Sequence, residues 1–242
     1  MLDKMGGCPE FQNELEELDK TFQQYGLTTA VWLIPRANSY RDLMRKTLDF
    51  IDAGDDAGNL FVVYYAGHGR MNNTRQAEWV SHQGPNCSSL DWSGIQTLFA
   101  GAKSEVLILL DTCAAASSAA TSQFGVMETI AACGFESRAA PPGEFSFTNA
   151  LIEIMRDWIN KPSFSISISI SHTESLFQLK QKENKRGREG TKLEWCSSPI
   201  YFRYTQDTRS PEIELYRRTS PVTPEAVPVM VPRPTTYTHE TR

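Results

Sequence analysis

The amino-acid sequence predicts an α/β domain, a mostly parallel sheet layered between helices. Three observations predict it. Two apolar runs, Leu60-Phe61-Val62-Val63 and Val106-Leu107-Ile108-Leu109-Leu110, have no polar interruption, which is the pattern of strands buried on both faces. Segments with helical spacing of apolar residues alternate with such runs, and that alternation builds parallel sheets. Each run also closes on a motif carrying a reactive side chain: Tyr64-Tyr65-Ala66-Gly67-His68-Gly69 after the first, Asp111-Thr112-Cys113 after the second.

Taken in order, residues 11–25 place Phe11, Leu15, Leu18 and Phe22 on one helical face, with a stop at Gly26. Residues 28–34 read as a short strand stopped by Pro35, and Ser39 as the N-cap of a helix carrying Leu43, Leu48, Phe50 and Ile51. Residues 60–66 are the histidine strand. Residues 70–89 read as loop, with a short edge strand at Glu78-Trp79-Val80. Asp91 or Ser89 caps a helix bearing Ile95, Leu98 and Phe99, and residues 105–110 are the cysteine strand.

The Ala/Ser tract 114–122 suits the first turns of a tightly packed helix and a flexible link. Residues 126–132 read as a strand. Ser146 caps a helix through Trp158, with Phe147, Ala150, Leu151, Ile154 and Met155 on one side. Residues 164–170 alternate Ser and Ile as a half-buried strand does. Residues 174–182 read as helical, 180–192 as a basic loop, and 200–204 and 212–216 as late strands. From Ser220 the chain is rich in Pro, Thr and Val without periodicity. The expected organisation is one domain over residues 1–217 and a disordered tail over 218–242.

Bulk properties narrow the function classes. The chain has 242 residues and a formal net charge of −5, so one domain is the default and neither nucleic acid nor membrane is an expected partner. No leader-like start and no membrane-length apolar run is present, which reads as a soluble cytoplasmic protein. Five cysteines (Cys8, Cys87, Cys113, Cys133 and Cys196) are odd in number, and none stands at metal-ligand spacing from a histidine. Free thiols in a reducing compartment, and no metal or cofactor, are expected.

His68 and Cys113 carry the chemistry. Both lie at the carboxyl ends of strands, where open α/β sheets bind ligands. Together they are the minimal parts of a cysteine nucleophile with its base. Small neighbours let a substrate backbone approach, and the Gly69 and Cys113 amides are candidates for an oxyanion hole, where one donor contributes about 3–4 kcal/mol. A helix starting after Cys113 would favour its thiolate. A lone Gly-His-Gly is commonly structural and a lone post-strand cysteine is commonly a core thiol; the pair is far more specific. There is no Gly-x-Ser-x-Gly elbow for a serine hydrolase.

The motifs Tyr64-Tyr65-Ala66-Gly67-His68-Gly69 and Leu109-Leu110-Asp111-Thr112-Cys113 resemble those of the caspase and metacaspase superfamily, closest to fungal caspase-domain proteins. Supporting segments are Leu90-Asp91-Trp92-Ser93, Glu128-Thr129-Ile130-Ala131-Ala132-Cys133-Gly134 and Phe145-Ser146-Phe147-Thr148-Asn149-Ala150-Leu151. The histidine precedes the cysteine by 45 residues, against roughly 50 in caspases. The resemblance covers about residues 10–216 and implies a three-layer α/β/α fold and a cysteine endopeptidase with His68 as base and Cys113 as nucleophile, acting on protein or peptide substrates. Asp111 stands where metacaspases bind a basic P1 residue and caspases have Gln. A carboxylate attracts a cation 4 Å away by about 4 kcal/mol at an effective dielectric of 20, so cleavage after Arg or Lys is expected. The alternative is that Asp111 only caps the turn after its strand.

Departures from the family set further expectations. The usual first strand, before the first helix, is missing, which implies a truncated product, a different closure of the sheet, a strand supplied by a partner or a homodimer, or an inactive signalling or self-association module. Residues 114–127 hold no Asp, Glu, Lys or Arg, so a single uncut chain is expected. Only Glu78, Asp91 and Glu105 lie between His68 and Asp111, too few for the calcium site of some metacaspases. Asp49, Asp52, Asp55 and Asp56 read as a hydrated helix end. Glu136 and Ser93 are minor cleft candidates, Trp79, Trp92 and Trp158 read as packing residues, and His82, His172 and His239 have no suggestive neighbours.

Overall fold

The computed structural model describes residues 9–35, 37–80, 88–113, 124–134, 137–161, 165–188, 198–206 and 209–217. In chain order the elements are α1 (Pro9–Gln24), α2 (Ser39–Asp52), β1 (Leu60–Ala66), β2 (His68–Met71), β3 (Ala77–Val80), β4 (Ser89–Asp91), α3 (Trp92–Ala100), β5 (Glu105–Asp111), β6 (Met127–Ala131), α4 (Phe147–Ile159), β7 (Ser165–Ser167), α5 (Ile168–Arg188), β8 (Ile200–Tyr204) and β9 (Glu214–Tyr216).

The main sheet has the order β1-β5-β6-β8, with β1, β5 and β6 parallel and β8 antiparallel to β6. Side chains alternate across it. On β5, Val106, Ile108 and Leu110 join one core with α2, α3, Trp79 and Leu90, while Leu107 and Leu109 join the other with α1, α4 and Ile168. All five are at most 2% exposed, so the uninterrupted apolar run has its cause in two-sided burial. Truncating one of these leucines to Ala costs about 2–5 kcal/mol.

The helices follow their patterning. α1 buries Leu15, Leu18 and Phe22 and stops at Gly26, whose φ of 78° suits glycine. Its carboxylates lock it to α4: Glu14 Oε1 accepts from Gly143 N and Ser146 Oγ, and Glu17 pairs with Arg156. Ser146 caps α4 by accepting from Asn149 N at 3.0 Å, and Asp91 caps α3 by accepting from Ser93 N at 2.8 Å.

Several expectations are corrected. Residues 28–34 form no strand. Their side chains still alternate, with Trp32 and Ile34 against the core and Val31 and Leu33 exposed, but among the described residues no strand stands beside them to form a ladder. β1 is correspondingly the outer strand, with Val62 and Val63 only half-buried. The short strand expected at Glu78-Trp79-Val80 is present as β3, but it is the middle strand of a three-stranded antiparallel sheet, β2-β3-β4, rather than an edge, because His68 to Met71, partly expected as loop, fold back on Ala77 to Val80. Ser39 opens α2 rather than capping it; Asn38 stands at the cap with φ 56°, and Ser39 Oγ donates to Pro35 O. The strand expected at 164–170 is only β7; α5 begins at Ile168, anchored by the buried Ile168 and Leu179, and continues to Arg188 through much of the expected basic loop. The expected helix at 114–122 and the tail 218–242 lie outside the described residues.

Candidate active site

β1 and β5 are parallel and in register from Leu60↔Glu105 to Ala66↔Asp111, so both end at one rim. Past that rim the two chains stay in contact: Gly67 N donates to Asp111 O at 3.3 Å. His68 and Gly69 then open β2. Gly69 presses on the other strand end, and a methyl group there would overlap Thr112 Oγ1 and the Cys113 carbonyl. Glycine is required by this close approach. His68, Gly69, Asp111 and Cys113 thus share one rim, and all four are partly accessible. Beneath them lies the buried Cys133, whose Sγ is 3.3 Å from Thr112 O.

Asp111 meets the start of α4. Its Oδ2 accepts from Thr148 Oγ1 at 2.5 Å and Thr148 N at 3.3 Å, in the first turn of the helix. A helix N-terminus favours such an anion. Burial nevertheless dominates and pushes the Asp111 carboxyl up to about 6, with the Thr148 hydrogen bonds pulling the other way. Asp111 therefore does cap, but it caps a distant helix rather than its own turn. Tyr64 Oη lies 2.7 Å from Thr148 Oγ1. Burial, then the Asp111 charge, hold the Tyr64 hydroxyl well above its ordinary range.

The remaining sequence candidates divide. Ser93 Oγ donates to Asp91 Oδ1 at 2.6 Å, within the α3 cap. Trp79 and Trp92 are buried and stacked on each other, and Trp158 Nε1 donates to Glu174 at 2.6 Å. His172 contacts Pro199 O at 2.9 Å, on α5. Glu136, His82 and His239 lie outside the described residues, as does the start of the helix expected after Cys113. Sequence reasoning missed Tyr64, Tyr65 and Thr148 as parts of the site. Thr148 carried one usable signal: two residues past the Ser146 cap, its amide belongs to a helix end with free donors. Among the described residues, no group of three or more His, Cys, Asp or Glu side chains is arranged to hold a metal ion.

The arrangement supplies a thiol, an imidazole, backbone amides and a carboxylate at one sheet edge, a set suited to acyl transfer. A family profile described as Peptidase C14, caspase domain, matches residues 3–199, which include all four rim residues. No curated protein matches the chain. Among solved structures it is similar to caspase-1 from Spodoptera frugiperda, at 10% identity and TM-score 0.56, over 81% of this chain and 78% of that one. That likeness establishes the fold.

Proposed function

The chain belongs to the caspase-domain family of cysteine peptidases, and from that premise we propose that it is an endopeptidase with a His68–Cys113 dyad that cleaves after basic residues. Cys113 attacks the scissile carbonyl while His68 takes the thiol proton. The tetrahedral oxyanion is held by the Gly69 and Cys113 amides. His68 then protonates the leaving amine, and water releases the acyl group from Cys113. Asp111 receives the P1 cation through the carboxylate oxygen that Thr148 leaves unoccupied. The observation that carries this reading is the close seating of Gly69 against the Thr112 side chain and the Cys113 carbonyl. Protein substrates and a reducing, cytoplasmic setting follow from the same reading, since a nucleophilic thiol must stay reduced. No helix of the described residues is long and apolar enough to cross a membrane.

The test uses fluorogenic peptides ending in Arg or Asp. Faster cleavage of the Arg peptide, lost in Cys113→Ala, is the expected result; preference for Asp overturns the P1 assignment. A second reading, a catalytically silent caspase-like module, is favoured by the absence, among the described residues, of a strand beside the outer face of β1 or beside segment 28–34. In that reading a homodimer or a partner's strand covers the edge. A peptidyl electrophile separates the two: rapid labelling of Cys113 over the other thiols supports the enzyme, and slow uniform labelling supports the module.

A further inference from the structure

The two adjacent tyrosines of β1 point to opposite faces of the sheet. Tyr65 is 2% exposed in the core with α2 and α3, and Tyr64 packs against the core with α1 and α4. Each hydroxyl ends at a different part of the rim.

Tyr65 Oη donates to the His68 carbonyl at 3.1 Å. Its ring is stacked on Trp79 with centroids 3.4 Å apart at 4°, and Trp79 on Trp92 at 4.2 Å and 16°. The three rings run from β1 through β3 to α3 and are all buried, so the hydroxyl cannot swing without unstacking them. Trp79 also stands opposite Gly69 in the β2–β3 register. A Cβ on Gly67 would fall 2.7 Å from the Tyr65 hydroxyl, so the turn into His68 passes directly over it.

On the other face, Thr148 has one hydroxyl proton. Asp111 Oδ2, when ionised, accepts it at 2.5 Å. The 2.7 Å contact with Tyr64 is then donated by Tyr64. A directed chain runs from Tyr64 through Thr148 to Asp111, each bond polarising the next. It fixes the carboxylate plane and leaves Oδ1 without a hydrogen-bond partner among the described residues.

We propose that Tyr65 is a positioning residue for His68, and that Tyr64, acting through Thr148, is a positioning residue for Asp111. One dipeptide thereby sets the proton-transfer group from one side of the sheet and the substrate-reading group from the other. The proposal rests on the dyad reading above.

Tyr65→Phe and Tyr64→Phe each remove one hydroxyl and keep the ring. Peptides ending in Arg and in citrulline, its neutral isostere, are compared on the full chain. Tyr65→Phe is expected to lower kcat about tenfold on both peptides with the Arg-to-citrulline ratio unchanged. Tyr64→Phe is expected to raise KM about tenfold for the Arg peptide alone. Equal losses of kcat on both peptides in both variants would mean general destabilisation and overturn the proposal, as would silence of either variant. If the unaltered chain cleaves neither peptide, the dyad reading fails, and amide hydrogen exchange still decides the positioning. Faster exchange at residues 67–69 in Tyr65→Phe, and at Thr148 in Tyr64→Phe, supports it; unchanged exchange at those amides overturns it.

Discussion

Asp111 on β5 and Glu128 on β6 are carboxyl groups on the face of the sheet that α1 and α4 cover, one at the partly accessible rim and the other deep in the interior, opposite Leu107. Glu128 lies inside its strand and is fully buried. Its Oε1 accepts from Ile213 N at 2.9 Å and lies 3.6 Å from Arg203 Nε, opposite it on β8. Arg203 in turn donates to Ser210 O and Pro211 O. Burial outweighs these partners and pushes the Glu128 carboxyl up to about 7. Asp111 is perturbed in the same direction by the same cause, but it sits at the carboxyl end of its strand beside His68, Gly69 and Cys113. A displaced proton affinity therefore does not separate the rim carboxyl from the interior one; position along the strand does. The interior carboxylate fastens β6, β8 and residues 210–213 together, and in the proposed enzyme the rim carboxylate offers Oδ1, which has no hydrogen-bond partner among the described residues, to the P1 cation.

This contrast can be broken experimentally. The largest effect is expected from Glu128→Ala, which leaves the buried Ile213 amide unpaired and removes the carboxyl beside Arg203, at a cost of about 3 kcal/mol of stability. Urea denaturation checks it, and a loss below about 1 kcal/mol would remove the architectural role. Gly69→Ala comes next: forcing the two strand ends apart should lower peptide cleavage about 100-fold while far-UV circular dichroism stays native. Asp111→Asn should cut the preference for Arg over citrulline by about tenfold, with little change in melting temperature.

The smallest effect sharpens the comparison through pH. Both carboxyls hold a proton more tightly folded than unfolded. The unfolded chain ionises first as pH rises above about 4, so stability falls towards pH 7 and is regained on acidification. In its proposed role Asp111 must be ionised to bind a P1 Arg, so that binding should weaken as pH falls through about 6. Acidification from pH 7 to 5 should thus raise the melting temperature and raise KM for the Arg peptide. Glu128→Gln should flatten the first trend and leave the second.

The parts of this picture that were legible in the sequence depend on local pattern. β1, β5 and β6 announce themselves because burial on two faces admits only apolar side chains, and α1 and α4 because burial on one stripe imposes a helical period. Residues 28–34 have an equally good local pattern and still form no strand, because a strand requires a neighbour that sequence periodicity does not report. The fold-back of β2 on β3 was hidden among Gly, Asn and Arg residues that read as loop. Glu128 carried a visible signal, a charge inside the run Met127-Glu128-Thr129-Ile130, but its partners are 75 and 85 positions away.

Local patterning in the chain set the strand ends that carry His68 and Cys113 and membership of an α/β class, because short-range periodicity and two-sided burial dictate those features, whereas the need for glycine at position 69 emerged only from the approach of the two strand ends. The packing of helix on sheet decided that Asp111 meets α4, that Tyr64 and Tyr65 divide between two cores, and that β1 is the outer strand among the described residues. Those outcomes depend on which surfaces meet in space, and residues such as Tyr64 and Thr148, 84 positions apart, become neighbours only when helix and sheet pack.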